Sequence, residues 1–173
     1  MQTFLPFENF RRSAQALDDR RLGKQRVEAL QVLRALTRPV YGWKSHPAVL
    51  QWKGYEEALV SYTLEVCAEW NRRGFADTVA ASITAELSDA CGTTIVRSQP
   101  DLARAGALPP WLGDDAFHAG HQSALVGKDP AYYREQFPDW PEGLPYYWPV
   151  RSEAVVSRER AKAARDAARE GRA

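Results

Sequence analysis

Glu28 is the residue of this chain best placed for chemistry, because helical spacing over LDDRRLGKQRVEALQVLRAL sets a carboxylate among cations beside an apolar face. Leu22, Ala29, Leu33 and Leu36 fall on one arc of such a helix. Arg20, Lys24, Glu28 and Gln31 fall on the neighbouring arc, with Arg21 close by. A carboxylate kept ionised there can handle protons while Arg20, Arg21 and Lys24 grip an anion. For clustered arginine and lysine the commonest such anion is a phosphodiester backbone. The same spacing also fits a plain surface ion pair, since Lys24 and Glu28 are four residues apart, worth a few tenths of a kcal/mol.

The histidines are His46, His118 and His121, and the last two share a helical face at a spacing of three. Three readings follow. With His46 or Asp114 as a third ligand they could hold a metal. His121 also lies in a stripe with Phe117, Ala124 and Leu125, which fits a histidine at the margin of the core. Alternatively both rings contact phosphate, joined by Lys128 and Arg134 downstream. No carboxylate-rich cluster accompanies them, so phosphate ranks above metal, and neither a metal nor a cofactor is expected.

These residues need a scaffold, and 173 residues normally build one domain with a real core. The pattern is helical nearly throughout, which predicts an all-α fold. Ser13 is expected to cap the first long helix, which fades near Thr37, Arg38 and Pro39. After the linker VYGWKSHP, Pro47 fits a helix's first turn, and a second long pattern runs through Val49, Trp52, Tyr55, Leu59, Tyr62, Val66 and Trp70 to Arg72, Arg73 and Gly74. Gly54 within it marks either a kink or a tolerated surface glycine. Thr78 to Ala90 reads as a shorter helix, and CGTTIVRS alone has β character. Asp114 and Asp115 suit the cap of a helix through AFHAGHQSALV, closed by Gly127, and Asp129 with Pro130 starts another, DPAYYREQ. The run FPDWPEGLPYYWP cannot be a regular helix, and either covers the core or presents rings to a ligand. Residues 151–173 read as a charged, solvated helical tail able to touch nucleic acid nonspecifically.

Several classes are excluded. No apolar run approaches the ~20 residues that cross a bilayer, and MQTFLPFENF lacks the pattern of a secretion signal, so a cytoplasmic, nucleoid-associated protein is expected. Cys67 and Cys91 stand apart, without a disulfide framework or zinc knuckle, and are expected as buried free thiols. With 23 Lys and Arg against 22 Asp and Glu the net charge is +1, so any nucleic-acid surface must come from local segregation of charge.

The order of motifs resembles the pyrimidine-dimer DNA glycosylase family, the phage endonuclease V-like enzymes. The likeness is carried by LDDRRLGKQRVEALQVL, EALVSYTLEVCAEWNRRGFADT, FHAGHQSALVGKDPAYY and YYWP. MQTFLP, HPAVLQWKGYEEAL and LPPWLGD are similar to a bacterial branch of it. The resemblance implies a single compact helical domain over 1–150, with the N-terminus threaded between helices to the active site. It implies a monomeric glycosylase with AP lyase activity on damaged, dimerised pyrimidines in double-stranded DNA. A terminal amine attacks the sugar and forms an imine, and a glutamate assists; these roles carry over to Met1 and Glu28. A generic α-amine has a pKa of about 7.7–8, so a useful fraction is neutral and nucleophilic near neutral pH. The DNA-contacting set expected here is Thr3, Arg20, Arg21, Lys24, Arg26, His118, His121, Lys128 and Arg134.

This chain departs from the phage pattern twice. The phage enzyme exposes a threonine amine after methionine removal, whereas bulky Gln2 keeps Met1 in place here. Val27 stands where that enzyme has an arginine, leaving the phosphate grip to Arg21, Lys24 or Arg26. Two readings from other classes stand beside this one: a DNA-binding module of the same fold without the chemistry, and a metal-assisted hydrolase built on His46, His118 and His121.

Overall fold

A helix starts where a side chain can occupy its unpaired backbone N–H groups, and for the long basic helix that residue is Asp18, not Ser13. The Asp18 carboxylate accepts from the Arg21 N–H at 3.0 Å and opens α2 (Asp19–Thr37). Ser13 instead lies inside a separate short helix, α1 (Phe10–Ala16), capped by Asn9. Its hydroxyl donates to the Phe7 carbonyl at 2.7 Å and accepts from the Phe7 N–H at 3.1 Å. The computed structural model describes residues 1–92 and 94–150 and the isolated positions 156, 157, 160, 161 and 165. The charged tail expected over 151–173 otherwise lies outside the described residues.

The second long pattern is divided in two. Pro47 opens α3 (Pro47–Leu50), the chain turns through Gly54 at φ +84°, and α4 (Glu56–Arg72) continues the apolar stripe. A left-handed backbone is costly for any residue with a Cβ, so the glycine belongs to the break between the helices. Then follow α5 (Val79–Cys91), α6 (Gln99–Arg104), α7 (Asp115–Lys128) and α8 (Pro130–Tyr133). The described part of CGTTIVRS forms no strand; Cys91 ends α5 and the described residues after it are a loop with Ile95 exposed. The helix α6 was legible in Ser98-Gln-Pro-Asp, a capping serine with proline and an acid in the first turn. Gly127 lies within α7, and Asp129 both ends α7 and caps α8.

The core forms where α2, α4 and α5 pack together, with α1 against α4. From the apolar arc of α2, Leu22, Ala29 and Leu33 are buried and Leu36 packs at the edge. Trp52, Leu59, Tyr62 and Val66 meet them from the other side. Cys67 is buried as expected, whereas Cys91, at the end of α5, is exposed. No described helix is long and apolar enough to cross a membrane.

The proline- and aromatic-rich run covers part of the core and then lines the cleft. Phe137 is buried, stacked on Tyr133 at 6.2 Å, and the chain then crosses α7 over Gly120, where a Cβ would lie 3.3 Å from the Pro145 carbonyl oxygen. Ser123 holds this crossing, donating to the Pro141 carbonyl and accepting from the Leu144 N–H at 2.9 Å. Tyr146 and Trp148 are thereby delivered to the face where α2 carries Glu28.

The Gly54→Ala variant is expected to lose about 1–2 kcal/mol of stability. Chemical denaturation would show this as a lower midpoint, and an unchanged midpoint would mean that the break between α3 and α4 does not need glycine.

Candidate functional site

An extended segment inside a helical protein has no neighbouring strand, so its backbone polar groups must find side chains or remain unpaired at about 1–3 kcal/mol each. Residues 2–6 solve this with partners from three helices. Gln25 on α2 grips the chain as a second strand would: its amide oxygen accepts from the Phe4 N–H at 2.7 Å, and its amide nitrogen donates to the Gln2 carbonyl at 2.9 Å. Tyr62 on α4 donates to the Phe4 carbonyl at 2.8 Å. On α7, His121 Nδ1 accepts from the Leu5 N–H at 3.2 Å, His118 Nδ1 donates to the Leu5 carbonyl at 2.7 Å, and Gln122 donates to the Pro6 carbonyl at 2.7 Å. Thr3 is buried as well, its hydroxyl accepting from Gln51 at 3.1 Å and Trp52 at 3.0 Å. Burial of Phe4 and Leu5 contributes roughly 1.5–3 kcal/mol each to holding this thread.

The thread ends on Glu28. Its Oε2 accepts the Gln2 N–H at 3.1 Å, and the Met1 α-amine is three bonds further along the chain. Both lie in a cleft of about 620 Å³ whose wall also carries Arg20, Arg21, Lys24, Lys128, His46, Tyr146 and Trp148. The Glu28 carboxylate is thus engaged by backbone, and among the described residues it makes no ion pair with Lys24. Arg21 is partly neutralised by Asp18 at 2.7 Å and Asp129 at 3.5 Å, and it ties α2 to the end of α7 through the Lys128 carbonyl at 2.9 Å. Among the described residues Arg20, Lys24 and Lys128 have no carboxylate at ion-pair distance, which leaves their charge to an incoming anion.

Of the residues singled out from the sequence, Met1, Arg20, Arg21, Lys24, Glu28 and Lys128 come together around this cleft. The others do not. Arg26 pairs with Asp77 and lies 4.2 Å over the Trp70 ring, bracing α2 against the loop before α5. Arg134 is 2.7 Å from Glu142 and donates to the Trp140 carbonyl. His118 and His121 are 8 % and 1 % exposed, with their Nδ1 atoms engaged by Leu5, so they act on the thread instead of making the phosphate contact expected of them. Among the described residues no three His, Cys, Asp or Glu side chains come together as a metal-ligating group. Sequence reasoning missed Gln25, one turn before Glu28 on the same face, and His46 as a wall of the cleft. His46 caps α3, accepting the Ala48 N–H on Nδ1 at 3.1 Å, a role signalled by its place directly before Pro47.

Charge and burial set the protonation of the neighbours. Burial, and then the nearby Met1 ammonium, hold His46 below the usual histidine range, so it is neutral with its proton on Nε2. Burial and then the Glu28 charge push the Tyr146 phenol up to about 12, with the neighbouring Gln2 side chain acting the other way. Asp18 stays low despite desolvation, because Tyr133 and Arg21 hydrogen-bond its carboxylate. For His121, burial and then neighbouring His118 bring the pKa down to about 3.

The last shift has a pH signature. A histidine neutral at about 3 in the folded chain and near 6.5 when unfolded contributes stability that is fully present above about 6.5. That contribution falls as the pH drops toward 3, by up to about 1.4 kcal/mol per pH unit. His121→Asn, which keeps an acceptor for the Leu5 N–H, is expected to flatten this slope in denaturation curves taken from pH 7 to pH 4; an equal slope in both proteins would contradict the burial of a neutral ring.

No curated protein and no solved structure matches the chain. Residues 1–82, slightly less than half of its 173, match the family model described as pyrimidine dimer DNA glycosylase. That stretch holds the thread, α1, α2, α3 and α4, and with them Met1, Gln25 and Glu28, so the part of the chain similar to this family is the part that carries Met1 and Glu28 into the cleft.

Proposed function

We propose that this protein is a monomeric DNA glycosylase with an associated lyase step, acting on damaged, dimerised pyrimidines in double-stranded DNA. One observation carries the reading: the Gln2 N–H rests on Glu28, so the residue that bears the terminal amine and this carboxylate line one cleft whose remaining charge is cationic. The similarity of residues 1–82 to pyrimidine dimer DNA glycosylases supports it independently.

The residues divide the work as follows. The neutral Met1 amine attacks C1′ of the damaged nucleotide, and the bond from C1′ to the base breaks, the base leaving with the electron pair and taking up a proton. Glu28 accepts a proton from the amine that has become cationic, then returns it to O4′ as the C1′–O4′ bond opens and the imine forms. Loss of a C2′ proton to the carboxylate breaks the bond from C3′ to its phosphate, which cuts the strand. Water then hydrolyses the imine and restores the amine. Arg20, Lys24 and Lys128 hold the flanking phosphates throughout, with Arg21 fixing the two helix ends that present them.

Borohydride is expected to trap a covalent complex with duplex DNA containing an abasic site or a pyrimidine dimer, and acetylation of the α-amine to abolish it. Glu28→Gln retains an acceptor for the Gln2 N–H and removes the charge, so a 10²- to 10⁴-fold fall in cleavage, on the order expected for a lost acid-base group, reports on chemistry instead of folding. Salt-dependent DNA binding with cleavage and trapping absent from wild type would leave a DNA-binding module of the same fold. Separately, Lys24→Ala and Lys128→Ala are each expected to reduce the slope of log affinity against log salt by about 1; unchanged slopes would remove those lysines from the phosphate contact.

A further inference from the structure

We infer that Trp43 is a wedge that stacks on a nucleobase of the bound duplex at the lip of the cleft, an inference that rests on the DNA reading above. Trp43 is the one non-glycine residue among those described with a positive φ, +67°, and the residue is 64 % exposed. A bulky residue in the left-handed region is strained, and an exposed indole gains nothing from burial to offset this. The turn is nonetheless firmly made. His46 N–H donates to the Trp43 carbonyl at 2.8 Å, and the Lys44 ammonium donates to the Arg38 carbonyl.

The ring has a direction as well as exposure. Trp43 meets His46 edge to face at 5.7 Å, and His46 meets Trp148 in the same way at 5.9 Å. His46 and Trp148 line the cleft with Met1 and Glu28, so these rings run without interruption from the reacting groups out to the exposed indole. Arg20, Lys24 and Lys128 supply the cations for the backbone in that cleft, and what a backbone held there brings to its lip is the flat face of a base. Every base offers a π-face, so an indole at this place grips DNA without reading its sequence. Asparagine or glycine would suit the turn better; tryptophan there serves the partner.

The test uses the full chain and a duplex carrying a stable abasic analogue that cannot form an imine, with 2-aminopurine next to it. Wild type is expected to change the 2-aminopurine fluorescence on binding. Trp43→Gly is expected to lose that change and to bind at least about 10-fold more weakly, with an equal or higher melting temperature because the strain is gone; Trp43→Phe restores most of both signals. Wild-type affinity and fluorescence response in Trp43→Gly, or a loss of affinity that appears only together with a lower melting temperature, would overturn the inference. Borohydride trapping by wild type keeps the two readings apart. Trapping with indifferent Trp43 variants sinks the wedge alone, whereas absent trapping with Trp43-dependent binding sinks the enzyme reading alone.

Discussion

An extended chain buried among helices is the constraint on which the rest of this molecule depends. Strands ordinarily pair with strands, and here no described strand exists, so Gln25, Tyr62, His118, His121 and Gln122 stand in for the missing neighbour. Each is a side chain that water would solvate well, drawn inward because an unpaired peptide group costs more than the burial of its partner. The consequence is positional. Three helices measure out the first residues of the chain, Gln2 is held on the carboxylate of Glu28, and Met1 lines the same cleft.

The near-neutral net charge agrees with this economy. Several arginines among the described residues are spent on ion pairs within the structure: Arg26 on Asp77, Arg73 on Asp19 and Glu69, Arg38 on Glu86 and Arg97 on Glu57. What is left around the cleft is a small group, Arg20, Lys24 and Lys128, whose charge is not matched at ion-pair distance among the described residues. A few such cations beside a concave site suffice to collect a polyanion, because each phosphate contact releases condensed counterions.

Much of this was legible in the sequence, and the failures have physical causes. The apolar arc of Leu22, Ala29 and Leu33 and the cation stripe beside it are consequences of a period of 3.6, and they appear where the spacing puts them. Asp18 was overlooked as a cap because Ser13 is an equally good capping residue, and only the tertiary demand of Phe7 decides between them. Gln25 and the histidines were the hardest to read. A polar residue at the edge of an apolar face can contact solvent, ligand or buried backbone, and nothing local says which. The thread that claims Gln25, His118 and His121 comes from 21 to 116 residues away in the chain.

The most direct test of the account is to locate the covalent bond. After borohydride reduction of the complex with abasic duplex DNA, proteolysis and mass spectrometry of the DNA-linked peptide should find the sugar remnant on the α-nitrogen of the peptide that begins with Met1. A remnant on the ε-nitrogen of Lys24 or Lys128, which share the cleft, would mean that the buried thread delivers its end to Glu28 for some purpose other than attack.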